Sequence, residues 1–141
     1  MKHNNSYIYP KTVRTDIDGK RHYDIDGGKR KLPSVTTILS ATQSAEKRES
    51  LANWRKREGE DNAARIVARS GARGTAMHKI LEKYILEQGY LDQTEVGQQA
   101  HNMALQVIQK GLCNVSEYYG SEVTLYYPGL YAGQTDLVGL H

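Results

Sequence analysis

The hydrophobic positions of this chain recur with a helical period in two central stretches. Between Thr75 and about Gln88 the apolar residues are three and four positions apart, which predicts an amphipathic helix. These residues are Met77, Ile80, Leu81, Tyr84 and Ile85. A second amphipathic helix is predicted from about Thr94 to Leu112, with its apolar side packed against a sheet. Two shorter helices are predicted from Ala45 to about Arg57 and from about Glu60 to Ser70, separated by Gly59, with Ile66 and Val67 of the latter pointing inward.

Alternation of polar and apolar residues predicts strands at both ends of the chain. Glu122 to Tyr127 alternates with period two, Pro128-Gly129 is typical of a turn, and Leu130 to Leu140 is expected to return antiparallel. Near the N-terminus, Asp-Gly steps predict hairpin turns between two or three short strands. Pro33 ends this region and a short capped helix follows. The pattern indicates the α/β fold class.

One carboxylate interrupts the apolar C-terminal strand. Asp136 is followed directly by Leu137 and Val138. A buried, unpaired carboxylate costs several kcal/mol, so an acid inside a sheet needs a cation opposite it, and a divalent metal is the commonest one. The alternative is that Asp136 faces solvent on an edge strand.

A histidine and a glutamate flank the apolar stripe of the Thr75 helix. His78 and Glu82 are four residues apart, so both side chains could reach one metal, or Glu82 could orient the His78 ring. The plainer interpretations are a structural histidine and an ordinary surface pair.

Composition narrows the class of protein. The 141 residues suit one domain, and the single cysteine excludes an internal disulfide. Neither a membrane-spanning apolar run nor a signal peptide is recognisable, so we expect a cytoplasmic protein, in a bacterial or phage-infected host cell. The net charge of +3 is unevenly distributed: residues 1–73 hold 16 Lys and Arg against 9 Asp and Glu, whereas residues 74–141 hold 3 against 7. The basic half could therefore face phosphates and the acidic half could gather a cation.

Two groups of residues are candidates for contact with nucleic acid. Arg65, Arg69 and Arg73 are each four apart, so they share one helix face that suits a phosphate backbone. Ser34, Thr36 and Thr37 open the short helix and could bind phosphate oxygens. A solvated helix face and simple helix capping are the respective alternatives.

Four segments of the chain, in order, resemble one enzyme family. They are Pro-Ser-Val-Thr-Thr-Ile-Leu from Pro33, Gly-Thr-x-x-His-x-x-x-Glu from Gly74, the strand that begins Ser121-Glu122-Val123, and Gly133-x-x-Asp136. Together they are similar to the RecB-type branch of the PD-(D/E)XK nucleases, and to phage and mitochondrial genome maintenance exonucleases in particular. The resemblance extends from about Tyr23 onward. It implies a restriction-endonuclease-like fold, in which helices surround a central mixed sheet.

The resemblance also implies an activity and a site. The expected activity is metal-dependent exonucleolytic hydrolysis of DNA ends or single strands, in replication, recombination or repair, with Mg²⁺ or Mn²⁺ as the cofactor. Asp136 would be the central metal ligand and His78 a nitrogen ligand, which favours Mn²⁺. Glu122 would be the acid that approaches the metal from the neighbouring strand, although the sequence is equally compatible with a Glu122 side chain that faces solvent. Glu82 would support His78, and Ser34, Thr36 and Thr37 would lie along the DNA.

The family pattern continues beyond the residues of this chain. There, a strand with an acid, one intervening residue and a lysine follows the Asp strand, whereas this sequence reaches His141 first. We therefore expect residues 1–31 to form an arm with hairpins and residues 32–141 to form the first part of a nuclease domain, with little cleavage by this part alone. The alternatives are a catalytically inactive DNA-binding module of a phage recombination or packaging complex, and a structural or assembly protein.

Overall fold

A computed structural model describes residues 1–141, which form six strands, four α-helices and one short 3₁₀ turn. The mixed α/β class predicted from the sequence is confirmed. The strands are β1 Lys2–His3, β2 Thr12–Ile17, β3 Lys20–Ile25, β4 Leu32–Pro33, β5 Glu117–Tyr127 and β6 Tyr131–Leu140. The helices are α1 Val35–Ala41, α2 Ala45–Glu58, α3 Glu60–Ile85 and α4 Glu95–Lys110, and the 3₁₀ turn is Leu112–Asn114. No helix has the length and apolar character needed to cross a membrane.

The strands form two sheets rather than one central sheet. In the first sheet, β5 lies between β1, to which it is parallel, and β6, to which it is antiparallel. In the second sheet, β3 pairs antiparallel with both β2 and β4. A bridge between Ser34 and Ala132 and a 3.0 Å hydrogen bond between the Thr12 and Thr124 hydroxyls join the two sheets. The start of α1 is thereby fixed against β6.

The two helices predicted on either side of Gly71 and Gly74 are one helix. α3 runs without interruption through both glycines, so the predicted break between Ser70 and Thr75 is wrong. A glycine in a helix interior costs only about 1 kcal/mol relative to alanine, and the neighbouring alanines and arginines offset this cost. Gly59, at φ 82°, does separate α2 from α3 as predicted, whereas α3 ends at Ile85, before the predicted Gln88.

The helix α4 packs on α3 and not on a sheet, contrary to the prediction. Ile80 of α3 and the fully buried Ala100 and Ala104 of α4 form one of the two small cores. Alanines on the facing side of α4 let the two helix backbones approach closely, which is why the contact forms there. Tyr23, Leu32 and Ala132 form the other core, between the two sheets.

Much apolar surface of the protein is open. Only 13 of the 141 residues are buried. Ile66 and Val67 of α3, predicted to point inward, are 39% and 51% exposed because no element covers that side of the helix. The small cores show that the fold relies on backbone pairing and helix contacts more than on one large interior.

The β5–β6 hairpin has the predicted turn and direction, but β5 begins at Glu117, five residues before the predicted Glu122. Pro128, Gly129 and Leu130 connect the strands, and Tyr127 pairs with Tyr131 across the turn. The pairing is regular up to Ser121–Leu137 and Gly120–Val138, and a bulge at Tyr119 then shifts the register. One residue inside the regular part, Glu122, has a φ of 53°. This left-handed conformation is uncommon for a non-glycine residue and marks a distorted point in β5.

Candidate metal centre

Three chain segments bring one potential ligand each to the same place. His78 comes from α3, Glu122 from β5 and Asp136 from β6, and their ligand atoms all lie within 4.8 Å of one another. His78 and Asp136 are 58 positions apart in the sequence, so only the tertiary fold brings them together. The structure thus gathers the three residues that the sequence proposed for the metal site.

The direct contact in this cluster joins His78 and Asp136. Their Nδ1 and Oδ1 atoms are 3.0 Å apart, which is hydrogen-bonding distance. This hydrogen bond restrains the orientation of the imidazole ring. The Asp136 side chain is 67% exposed, so burial does not by itself require a cation beside it. The neighbouring acids Glu122 and Glu82 place further negative charge beside it, which a cation would compensate.

Glu122 is the acid whose environment is most perturbed. Burial raises the pKa of its carboxyl, and the nearby charges of Asp136 and Glu82 raise that pKa further, whereas His78 opposes the shift. Burial and the two neighbouring acids thus disfavour the carboxylate form. A cation at this point would offset them, because it would compensate the three carboxylates at once.

Gln134 holds the Glu122 side chain in place. Its Nε2 donates to Glu122 Oε2 at 2.6 Å and to the Glu122 carbonyl oxygen at 3.3 Å. Gln134 was not predicted from the sequence as part of the site. Gln134 and Asp136 are two apart on β6, so both lie on the same face of the strand, and this periodicity is the signal that could have identified it.

A cavity of about 180 Å³ adjoins the cluster. Its wall is apolar on one side, and Glu82 lines it together with the three candidate ligands. The apolar residues are Leu81, Ile85, Val107, Leu112 and Leu137. Apolar walls strengthen electrostatic interactions by lowering the local dielectric constant. No lysine or arginine lines the cavity, so its electrostatic character is acidic.

Glu82 does not orient His78 by a hydrogen bond. The Nδ1 atom of His78 bonds to Asp136, and no hydrogen bond joins His78 to Glu82. Although the spacing of four residues puts both side chains on one flank of α3, Asp136 occupies the position expected for the orienting group. Glu82 acts on the cluster through its charge.

The spacing of the donor atoms fits one small divalent ion. Two ligands at about 2.1 Å from a metal lie about 3.0 Å apart when they are adjacent and about 4.2 Å apart when they are opposite. The 3.0 Å between His78 Nδ1 and Asp136 Oδ1 matches the adjacent case, and an ion there would replace the proton that the two atoms share. The upper limit of 4.8 Å in the cluster exceeds the opposite case slightly, so the ligand atoms would draw together slightly around an ion.

The residues proposed for DNA contact have different surroundings. Ser34 is 2% exposed, and its Oγ accepts from Thr37 N and lies 2.8 Å and 3.0 Å from the Thr36 and Thr37 hydroxyls. Thr37 Oγ1 also donates to the Arg21 carbonyl oxygen. Ser34 is therefore a buried helix cap that cannot touch DNA as the chain is folded here, whereas Thr36 is exposed.

The continuous helix α3 carries all three arginines of the proposed stripe. Arg65 donates to Asn62 Oδ1 at 3.2 Å, and Arg69 forms an ion pair with Glu95 of α4. Arg73 is half-buried. The stripe exists in the fold, but Glu95 offsets the charge of its central residue.

We compared the chain with known proteins, and no protein-family model, curated protein sequence or solved structure matches it.

Proposed function

We propose that this chain carries the metal-binding part of a divalent-cation-dependent deoxyribonuclease of the exonuclease type. The observation that carries the proposal is the convergence of His78, Glu122 and Asp136 from three separate elements. The resemblance of the four sequence segments to PD-(D/E)XK exonucleases supports the same reaction. Mg²⁺ and Mn²⁺ are the proposed ions, and the imidazole favours Mn²⁺.

The chemistry of phosphodiester hydrolysis explains why such a cluster is useful. A bound divalent ion supplies a Lewis acid that neutralises phosphate charge and lowers the pKa of a coordinated water. Asp136 and His78 would provide two adjacent donor atoms, and Glu122 would complete the set from the opposite strand. Gln134 keeps the Glu122 carboxylate in place, so this ligand is ordered before the ion arrives.

DNA is the proposed substrate because the two halves of the chain differ in charge. Residues 1–73 carry 16 Lys and Arg against 9 Asp and Glu. Electrostatic attraction of the phosphate backbone supplies most of the affinity of nonspecific nucleic-acid binding. The acidic cluster lies in the other half of the sequence, so backbone binding and metal binding are assigned to different residues.

The cavity lacks a group that the proposed reaction needs. In the family pattern a lysine from the strand after the Asp strand orients or deprotonates the reacting water, and no Lys or Arg lines this cavity. A second candidate function, a DNA-binding module without catalysis, does not require that lysine. The two candidates agree on DNA binding and differ in metal-dependent turnover.

Calorimetric titration with Mn²⁺ tests the proposal. The wild-type chain is expected to bind one ion, and Asp136→Asn is expected to abolish that binding. Asp61→Asn removes a carboxylate from the exposed first turn of α3 and serves as the matched control. Equal Mn²⁺ binding by wild type and Asp136→Asn would refute the metal site.

A second assay measures release of nucleotides from a labelled DNA strand in Mn²⁺. Turnover that disappears in Asp136→Asn favours the nuclease over the inactive module.

A further inference from the structure

A groove of about 460 Å³ lies between the β2–β3 hairpin and α1 and shares no residue with the metal cluster. Three cationic side chains line it, those of Arg14, Lys20 and Arg21. From the other side, Ser40 presents its hydroxyl group. Thr36 lines the same wall, but its hydroxyl is already hydrogen-bonded to Ser34 Oγ at 2.8 Å. The groove therefore combines positive charge with a hydroxyl donor, the groups that bind phosphate oxygens.

The cations of this groove have no partner within the protein. The four ion pairs of the structure involve Arg55, Arg57, Arg69 and His78, and none involves a groove residue. Asp16 also lines the groove, yet its carboxylate is within 4.0 Å of none of the three cationic groups. The guanidinium and ammonium donors are consequently available to an external anion.

The two walls of the groove are fixed to each other. The Arg21 carbonyl oxygen of β3 accepts from Ser34 N at 3.0 Å and from Thr37 Oγ1 at 2.9 Å. Across the hairpin, Arg21 pairs with Asp16 in the antiparallel register. Because β3 and the first turn of α1 are tied at the same carbonyl, the cations and the hydroxyls keep their relative positions. Such preorganisation lowers the entropic cost of binding.

We propose that this groove binds phosphate groups of a polynucleotide backbone, through Arg14, Lys20 and Arg21 with hydroxyl support from Ser40. Planar guanidinium groups suit phosphate oxygens, and neighbouring cations can contact successive phosphates of one strand. Ala132, beside the start of α1, and Asp136 are four residues apart on β6, which places them about 13 Å apart along the strand. The choice of DNA as the polynucleotide rests on the proposed function, whereas the anion site itself does not.

Salt-dependent binding of a labelled single-stranded DNA oligonucleotide tests this site. All measurements use the full chain with Asp136→Asn and a chelator, so that the metal cluster contributes nothing. The test variant is Arg14→Gln/Lys20→Gln, because both side chains are exposed and the changes leave the fold intact. The control is Lys11→Gln/Lys29→Gln, which removes the same charge from exposed positions beside the same hairpin but outside the groove.

The groove variant is expected to bind the oligonucleotide at least about tenfold more weakly than the parent. The slope of log K against log salt is expected to become shallower by about 1.4, since each lost single-strand phosphate contact removes about 0.7. The control should change both quantities much less. In addition, Asp16→Asn should strengthen binding, because it removes the only carboxylate of the groove. Equal losses in the groove variant and the control would overturn the proposal.

Titration with inorganic phosphate shows whether the groove binds the phosphates of a polynucleotide or a small free phosphate. If inorganic phosphate binds as tightly as the oligonucleotide and Arg14→Gln/Lys20→Gln abolishes it, the polynucleotide assignment is overturned and a small phosphate takes its place. The outcome is also independent of the metal proposal. A groove that behaves as expected in a protein that does not bind Mn²⁺ would refute the nuclease and retain the phosphate site.

Discussion

The carboxylates of Glu122 and Asp136 approach each other across the β5–β6 hairpin, with oxygens within 4.8 Å. The pairs Ser121–Leu137 and Val123–Thr135 flank them on either side, so the two acids occupy opposite positions in the register. Directly opposed like charges destabilise a sheet. Burial is the larger cause of the raised pKa of Glu122, and this repulsion from Asp136 raises that pKa further.

Neutralising Glu122 should stabilise the metal-free protein at neutral pH. The pKa of this carboxyl is higher in the folded than in the unfolded chain, so the folded state binds more protons between the two values. The free energy of unfolding therefore decreases as pH rises from the ordinary glutamate range through the raised pKa. Glu122→Gln removes this loss, and its melting temperature at pH 7 should be higher by about 2 °C.

Thermal melts of wild type and Glu122→Gln across pH check this prediction. The difference between them should vanish at a pH below both pKa values, where the wild-type carboxyl is protonated in either state. Glu49→Gln, on the exposed face of α2, is the control for a change of charge alone. A Glu122→Gln variant that is less stable than wild type at pH 7 would contradict the account.

The backbone at Glu122 offers a second, independent prediction. Its φ of 53° costs a non-glycine residue about 1–2 kcal/mol. Glu122→Gly should therefore be more stable than Glu122→Ala by about 1 kcal/mol, although both lack the carboxylate. Urea unfolding of the two variants measures this difference.

At Leu125, three residues further along β5, we expect the opposite order of stability for the glycine and alanine variants. Leu125 lies on β5 without a positive φ, so Leu125→Gly should be less stable than Leu125→Ala, because glycine loses more chain entropy on folding. If glycine were the less stable replacement at both positions, the distortion at Glu122 would not be a strained conformation.

Local signals and long-range contacts differed in how well the sequence indicated them. The β5–β6 hairpin was predictable because its alternation and its Pro128-Gly129 turn are encoded within one segment. The break in α3 was wrongly predicted because two glycines alter helix stability by only about 1 kcal/mol each. Packing of α4 on α3 could not be predicted from its apolar face, because such a face can pack against either a helix or a sheet.

The candidate site shows the same division. The sequence named His78 and Asp136 as ligands through a resemblance, and the fold places their side chains 3.0 Å apart. Whether Glu122 joins them depended on the hairpin register, which differs by one residue between an inward and an outward side chain. Gln134 was missed because an amide in a strand carries no charge signal, and the contact of Arg69 with Glu95 was missed because it joins two different helices.

The buried cap of α1 should matter more for stability than an exposed cap. Ser34 Oγ is buried and bonds to Thr37 N and to two hydroxyls, whereas Ser44 caps α2 with a single exposed bond from Lys47 N at 3.3 Å. Ser34→Ala leaves buried polar groups without partners and should cost about 2 kcal/mol. Ser44→Ala should cost about 0.5 kcal/mol.

Urea unfolding of both variants measures the two costs. The network at Ser34 also positions the Thr37 hydroxyl on the Arg21 carbonyl, so Ser34→Ala should additionally weaken phosphate binding in the groove. Equal destabilisation by the two substitutions would show that the hydroxyl network at Ser34 contributes nothing beyond an ordinary cap.

Glu95 should suppress DNA binding by the arginine face of α3. The exposed ion pair between Arg69 and Glu95 contributes little to stability, about 0–1 kcal/mol. Its removal by Glu95→Gln frees the Arg69 guanidinium, and the salt slope for DNA binding should steepen by about one. Glu46→Gln makes the same change of charge in the first turn of α2 and is the control. An identical slope in wild type and Glu95→Gln would assign the arginines to a solvated helix face.

Metal binding should stabilise the protein in a manner that depends on pH. A ligand that binds only the folded state at about 100 times its dissociation constant adds about 2.7 kcal/mol to the free energy of unfolding. Addition of Mn²⁺ should accordingly raise the melting temperature of the wild-type chain, but not that of Asp136→Asn.

The gain in melting temperature should decrease as the pH is lowered. Because the proposed ion binds the carboxylate form of Glu122, whose pKa is raised in the metal-free protein, protons compete with it at a higher pH than for an ordinary glutamate. Glu122→Gln should weaken Mn²⁺ binding and remove this part of the pH dependence, while it stabilises the metal-free chain. A substitution that destabilised the protein without Mn²⁺ and left Mn²⁺ binding unchanged would exclude Glu122 as a ligand.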